Sequence, residues 1–195
     1  MFGKRINKDV AAVIKRVTIA GVPQSEKSRI CLCVSLKEAQ KVLHRDTEAT
    51  VSKMIQECRN DASITCPHIS AESPYTKLEV GDTVIEWMIS SDICGAGSAK
   101  HAVVGIYSWA LENPYELNTT LFKTKEMAKD DLMDRYCTEK EADTESGYEF
   151  ESSIDEESRW AQIKNFRAFP IGDNDDEDNI DITDWMYIPV AKTLS

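Results

Sequence analysis

No run of apolar residues in this chain approaches the roughly 20 that a helix needs to cross a bilayer. The longest, such as Ala102 to Ile106, are a fraction of that length, so no membrane span is expected. A secretory core is missing as well. In the amino-terminal stretch MFGKRINKDVAAVIKRV the apolar positions are interrupted by Lys15 and Arg16, which leaves no continuous apolar segment and makes a cytoplasmic location the expectation. Cysteine is too sparse and too scattered for a disulfide framework. Of the six in the chain, Cys31 and Cys33 lie in an apolar run, where reduced and mostly buried thiols are expected. Internal repeats and long low-complexity tracts are absent too. No stretch forms a specific catalytic or ligand-binding signature, which leaves charge as the main functional signal.

That charge is segregated. From Glu126 to Asp184 there are 20 acidic and 6 basic residues, while the other 136 residues hold 14 acids and 17 bases, so −14 faces +3 within a total of −11. The first 45 residues carry 10 bases against 3 acids. Clustered like charges create a directional potential, which bears on partners and association rather than on fold. With 195 residues and 42% hydrophobic content, the chain is expected to fold as a single domain, 1–195, around one sizeable core.

The local pattern mixes helix and strand and predicts an α+β fold: a mostly antiparallel sheet with three to four helices packed on it. Asn7 is placed to cap a short helix through Val13 and Ile14. Val17 to Val22 and Arg29 to Val34 read as two strands joined by a short polar linker, and so as a hairpin. Ser35 and Glu38 form a capping box before Leu36, Ala39, Leu43, Val51, Met54 and Cys58, which predicts one amphipathic helix or two with a break near Asp46 and Thr47. Gly81-Asp82 marks a turn inside Lys77 to Met88. His101 to Leu111 and Leu117 to Phe122 read as strands, with Glu112 to Tyr115 turning between them. Thr124 caps a helix with Ala128, Leu132 and Tyr136 on its inner face. Acidic loops or mobile segments are expected near 138–153 and 172–182, and a helix from Ser153 carries Trp160, Ile163 and Phe166. Asp184 to Val190 reads as a closing strand, with Pro189 suggesting an edge or strand end.

Three constellations bear on chemistry. The acidic loop places Asp173, Asp175, Glu177 and Asp184 at positions one, three, five and twelve of a spacing that resembles the EF-hand, with Ile180 at position eight. Asp178 replaces the turn glycine at position six, and the last ligand is Asp rather than Glu, so a solvated loop is expected and no metal. Cys66-Pro67-His68 supplies one zinc-like pair, but the second pair of a structural site, beyond a lone Cys58 or Cys94, is missing. The third constellation is Cys94 with His101. Leu78 to Val84 followed by His101 to Tyr107 resembles the strand pair of the NlpC/P60 and related papain-like hydrolases, in which a GD turn precedes a strand and a histidine opens the next. The resemblance implies a thiol hydrolase with His101 beside a helix-borne cysteine, and Cys33, just before Ser35, is the one cysteine roughly so placed.

The leading expectation is an acidic macromolecule-binding protein that is not an enzyme and uses no cofactor. Carboxylates on a rigid face can occupy a surface evolved for phosphates, as phage anti-defence proteins, nucleic-acid mimics and nuclease immunity proteins do. The candidate partner-binding residues are Asp173, Asp175, Asp176, Glu177, Asp178 and Asp181, with the acids from Glu139 to Glu157 as a second patch. The partner is expected to be a protein with a basic or nucleic-acid-binding surface. Direct nucleic-acid binding is disfavoured, because a strand would have to avoid the −14 region. Besides the thiol hydrolase, a structural component that self-associates through the strand Trp185 to Ile188 is the remaining alternative.

Overall fold

The structure is a computed structural model, and it describes residues 11–60, 65, 67–72, 75–91, 93–95, 98–109, 112–146, 149–150, 165–168, 170–171 and 182–194. In chain order the elements are β1 (Ala11–Ile19), β2 (Val22–Pro23), β3 (Arg29–Cys33), α1 (Leu36–Asn60), β4 (His68–Glu72), β5 (Tyr75–Val80), β6 (Thr83–Ser90), β7 (Ile93–Gly95), β8 (His101–Trp109), β9 (Glu112–Phe122), α2 (Lys125–Ser146), β10 (Glu149–Phe150), β11 (Asn165–Ala168), β12 (Pro170–Ile171) and β13 (Ile182–Ala191). They fall into two compact units. One comprises Lys4–Ile93 and Ile188–Ser195, the other Met1–Gly3 and Cys94–Tyr187.

In the first unit the strands run in the order β4-β5-β6-β1-β3, with the end of β13 beside β3. β1 sits in the middle, antiparallel to β6 through Ile14↔Met88 and Val17↔Ile85, and to β3 through Val13↔Cys31. Val13 and Val17 on one face and Ala12 and Ile14 on the other are all buried. A strand buried on both faces reads as a continuous apolar run rather than an alternation. α1 lies over the Val13 face, where Ala39, Leu43, Val51 and Met54 pack with Cys33, Leu78, Ile85 and Trp87. Two tight turns set the registers. Ala20 and Gly21, with φ of 49° and 78°, close β1 onto β2 in the left-handed pattern of a type I′ hairpin. Gly81, with φ of 55°, takes the first turn position between β5 and β6.

The second unit is built on the antiparallel β8–β9 hairpin and on the first half of β13, which pairs with β11 through Phe166↔Trp185. The inner face of α2, Ala128, Leu132 and Tyr136, packs with Val103, Trp185 and Tyr187. Trp185 approaches the backbone of β8 so closely that a Cβ at Gly105 would stand 2.5 Å from its ring. A side chain has no room there.

These elements correct the expected fold class. Among the described residues there are two helices rather than three to four, and the sheet pairing is mixed, because β13 runs parallel to β3 through Val190↔Ile30 and Ala191↔Cys31. Val13 and Ile14, read as the end of a short helix, lie in β1 instead. Their β-branched side chains favour a strand, and burial on both faces hid the period of two. The Arg29 strand does pair antiparallel with an amino-terminal neighbour, but with Ala11–Lys15, upstream of the segment expected. α1 runs unbroken past Asp46, and α2 continues to Ser146 through much of the stretch expected as an acidic loop. The turn expected at Glu112 to Tyr115 is strand, with Trp109 opposite Glu112. Trp185 to Ile188 is not an edge, since all four residues are buried and Trp185 and Met186 are paired with β11. The helix expected from Ser153 lies outside the described residues up to Phe166, which is in β11. Among the described residues, no helix is long and apolar enough to cross a membrane.

Candidate functional site

The charge asymmetry follows the division into units. The unit containing β1 and α1 holds 14 basic and 12 acidic residues, and the unit containing β8 and α2 holds 9 and 22. Its described acidic surface is the outer face of α2. Thr124 caps this helix by accepting the Met127 amide at 3.2 Å. Glu126 follows in the first turn, its carboxyl held below the ordinary range by a backbone hydrogen bond and by the Thr124 hydroxyl. Glu126, Asp130, Asp134 and Glu141 are all exposed. At 3.6 residues per turn they fall within an arc of about 80° and extend over about 22 Å of helix axis.

Three of the four bases of α2 lie over aromatic rings. The Arg135 guanidinium lies 4.3 Å from the Trp185 ring centroid, with Nε donating to Asp131 at 2.7 Å and Nη2 to Thr120 at 3.3 Å. The ammonium of Lys125 stands 5.6 Å over the Tyr187 ring, and that of Lys140 5.9 Å over Tyr136. Cations are drawn to the negative faces of aromatic rings. Three of the four basic residues of α2 are thus placed over aromatic side chains, and the fourth, Lys129, acts on the Glu126 carboxylate one turn before it.

His101 opens β8, as expected, but its partner is not a thiol. Its Nδ1 lies 2.8 Å from the Tyr187 hydroxyl, and the two rings stack with centroids 5.8 Å apart. Burial holds the imidazole below its ordinary pKa, against the opposing pull of the Glu126 carboxylate. Cys94 is half-buried. Cys33 does precede the Ser35 cap, yet burial, followed by the influence of Cys31 and Glu38, pushes its thiol up to about 12. Burial raises Cys31 as well. Such thiols stay protonated at neutral pH, whereas a nucleophile must be a thiolate.

Asp173, Asp175, Asp176, Glu177, Asp178 and Asp181 lie outside the described residues. Asp184, placed last in the calcium-like spacing, is buried in β13. Cys66 is outside the described residues, and among those that are described no group of three His, Cys, Asp or Glu side chains could hold a metal ion.

Three arrangements were not anticipated from the sequence. Asp46, read as a break in α1, is buried on its inner face, where Oδ2 accepts from Lys15 Nζ and from Trp87 Nε1, both at 2.8 Å. On the opposite face of β1, Arg16 stands 3.5 Å from Glu86, whose other oxygen accepts from the Tyr75 hydroxyl at 2.8 Å. Finally, Lys37, Lys41 and Arg45 line a groove of about 450 Å³ with Ser35, Glu38 and Val42. The spacing of four along α1 was the available signal for that basic row. For Asp46 it was the step of three from Leu43 on the apolar face.

No known protein family matches the chain, and neither a curated protein nor a solved structure is similar to it.

Proposed function

We propose that this protein is a binding protein whose acidic unit occupies a basic or nucleic-acid-binding site of a partner protein, as an inhibitor of the phage anti-defence, nucleic-acid-mimic or immunity type. The observation that carries this reading is the outer face of α2. Four exposed carboxylates lie along a single helix whose inner face is packed, while three of the helix's four bases are placed over Trp185, Tyr187 and Tyr136. A rigid row of carboxylates is preorganised, so docking does not have to order it first. Long-range attraction to a basic site raises the association rate and makes it salt-dependent. Asp173, Asp175, Asp176, Glu177, Asp178 and Asp181 carry charge of the same sign and are proposed as further partner-binding residues.

The test is capture of partners from host lysate, followed by competition. Wild type is compared with a variant neutralised at Glu126, Asp130, Asp134 and Glu141, and with a second neutralised at the six acids between 173 and 181. The reading requires a partner that wild type retains at low salt, that either variant loses, and that duplex DNA or heparin displaces. Equal recovery by all three proteins, or indifference to the polyanion, would overturn it.

A further inference from the structure

Three exposed bases of α1 and three exposed acids of α2 stand at the same helical interval, the basic run ending before the exposed Glu48, which pairs with His44. Lys37, Lys41 and Arg45 succeed one another every four residues, as do Glu126, Asp130 and Asp134. Each row therefore advances about 6 Å per charge. All six residues are exposed, and each row is carried by a helix anchored through its opposite face. The three bases line the groove over Val42 together with Ser35 and Glu38. At its amino-terminal end Glu38 is turned aside into the helix cap, accepting the Val34 amide at 2.8 Å.

Among the described residues six large hydrophobic side chains are exposed, and three of them are close in sequence to the two rows: Val34 and Leu36 just before Lys37, and Met127 just after Glu126. Charge complementarity steers two surfaces together and fixes register, while exposed ion pairs add little affinity alone. Apolar contact at the end of the rows would supply the part that salt does not screen.

We propose that the α1 groove is a docking site for a second copy of this chain, whose Glu126-Asp130-Asp134 row lies along Lys37-Lys41-Arg45. The contact is heterologous: each copy presents an acidic row to one neighbour and a basic row to another, so association continues into rings or short chains. This proposal shares the α2 carboxylates with the proposed function and rests on their being a docking face. Self-association and partner binding then compete for one surface.

Sedimentation velocity on the full chain tests it, at about 50 mM and about 500 mM salt, since screening shortens steeply over that range. Wild type is expected to rise above its 22.0 kDa monomer mass with concentration at the lower salt and to return to it at the higher. The triple variants K37E/K41E/R45E and E126K/D130K/D134K should each remain monomeric, with far-ultraviolet circular dichroism confirming that both are folded. An equimolar mixture of the two should associate again, because each restores the sign that the other lacks. Wild type that stays at 22.0 kDa throughout overturns the proposal, even if a nucleic acid or another acidic protein occupies the α1 row in its place. Association that survives in both variants overturns it too. The α1 variant keeps the acidic unit intact and should still capture the partner, so wild type that self-associates as expected while neither it nor the α1 variant captures a partner counts against the proposed function alone.

Discussion

The indole N–H of Trp87 donates to the carboxylate of Asp46 across 41 residues of chain, at 2.8 Å, and both groups are buried. The same Oδ2 accepts from Lys15, whose ammonium also reaches the Thr50 hydroxyl at 3.1 Å and stands 5.4 Å from the Trp87 ring centroid. One carboxylate thus joins α1 to β1 and β6.

Asp46→Ala removes the partner of a cation that is itself almost buried. Leaving one charge of a buried pair uncompensated costs about 3–5 kcal/mol. Urea unfolding should show a loss of that size, and the double change Lys15→Met with Asp46→Leu should recover much of it. A loss below about 1 kcal/mol for the single variant would mean that water already solvates the pair.

Gly105 faces Trp185 with no space for a methyl group. Gly105→Ala forces the indole from its place beside Arg135, and overpacking of this kind costs about 1–3 kcal/mol. The near-ultraviolet dichroism of the tryptophans should change along with the thermal midpoint. An unchanged spectrum would place the ring elsewhere.

His101 gives a pH dependence of known sign. Its pKa in the folded protein lies below the ordinary 6.5, because burial disfavours the imidazolium. As pH falls below 6.5 the unfolded chain takes up the proton first, so this contribution to stability is full above that value and declines towards the folded-state pKa. The urea midpoint of wild type should therefore drop more between pH 7.5 and pH 5 than that of His101→Gln. Equal slopes would show that other groups carry the whole effect.

The cysteines should separate kinetically. Cys33 is buried with its thiol at about 12, whereas Cys137 is exposed on α2. In the native protein at pH 8, iodoacetamide should modify Cys137 well before Cys31 or Cys33, as resolved by peptide mass mapping. Early modification of Cys33 would show a reactive thiol there and favour the thiol-hydrolase alternative.

Ala20 holds a φ of 49° in the β1–β2 turn, a conformation costly for a residue with a Cβ and no local polar partner. Ala20→Asn creates the Asn-Gly pair favoured by type I′ turns and should raise stability by up to about 1 kcal/mol. A fall in the denaturation midpoint would contradict the turn assignment.

Where one face of an element is buried and the other wet, its residues were readable in advance. Ser35 and Thr124 cap the helices that follow them, Ala128, Leu132 and Tyr136 form the inner face of α2, and the Gly81-Asp82 turn joins two strands. Where both faces are buried, or a polar side chain is satisfied by a distant partner, the pattern misled. β1 has no alternation to show, and Asp46 looks like a cap until Lys15 and Trp87 are beside it. The acids from Glu139 onward suggested a loop because few apolar anchors follow Cys137, yet propagation from the anchored turns of α2 continues the helix to Ser146.

By itself, then, the sequence determined the charge of each region, the helix caps, the Gly81-Asp82 turn and the amphipathic faces, all of which depend on residues within a few positions of one another, whereas the Ala20-Gly21 turn fell inside a segment read as strand. The direction of β13 beside β3, the partner of Asp46, the pairing of His101 with Tyr187 and the placing of three α2 bases over aromatic rings were decided only by the tertiary structure. Each depends on which distant groups burial brings together, and a hydrogen bond or ion pair withdrawn from water is chosen by that proximity rather than by local pattern.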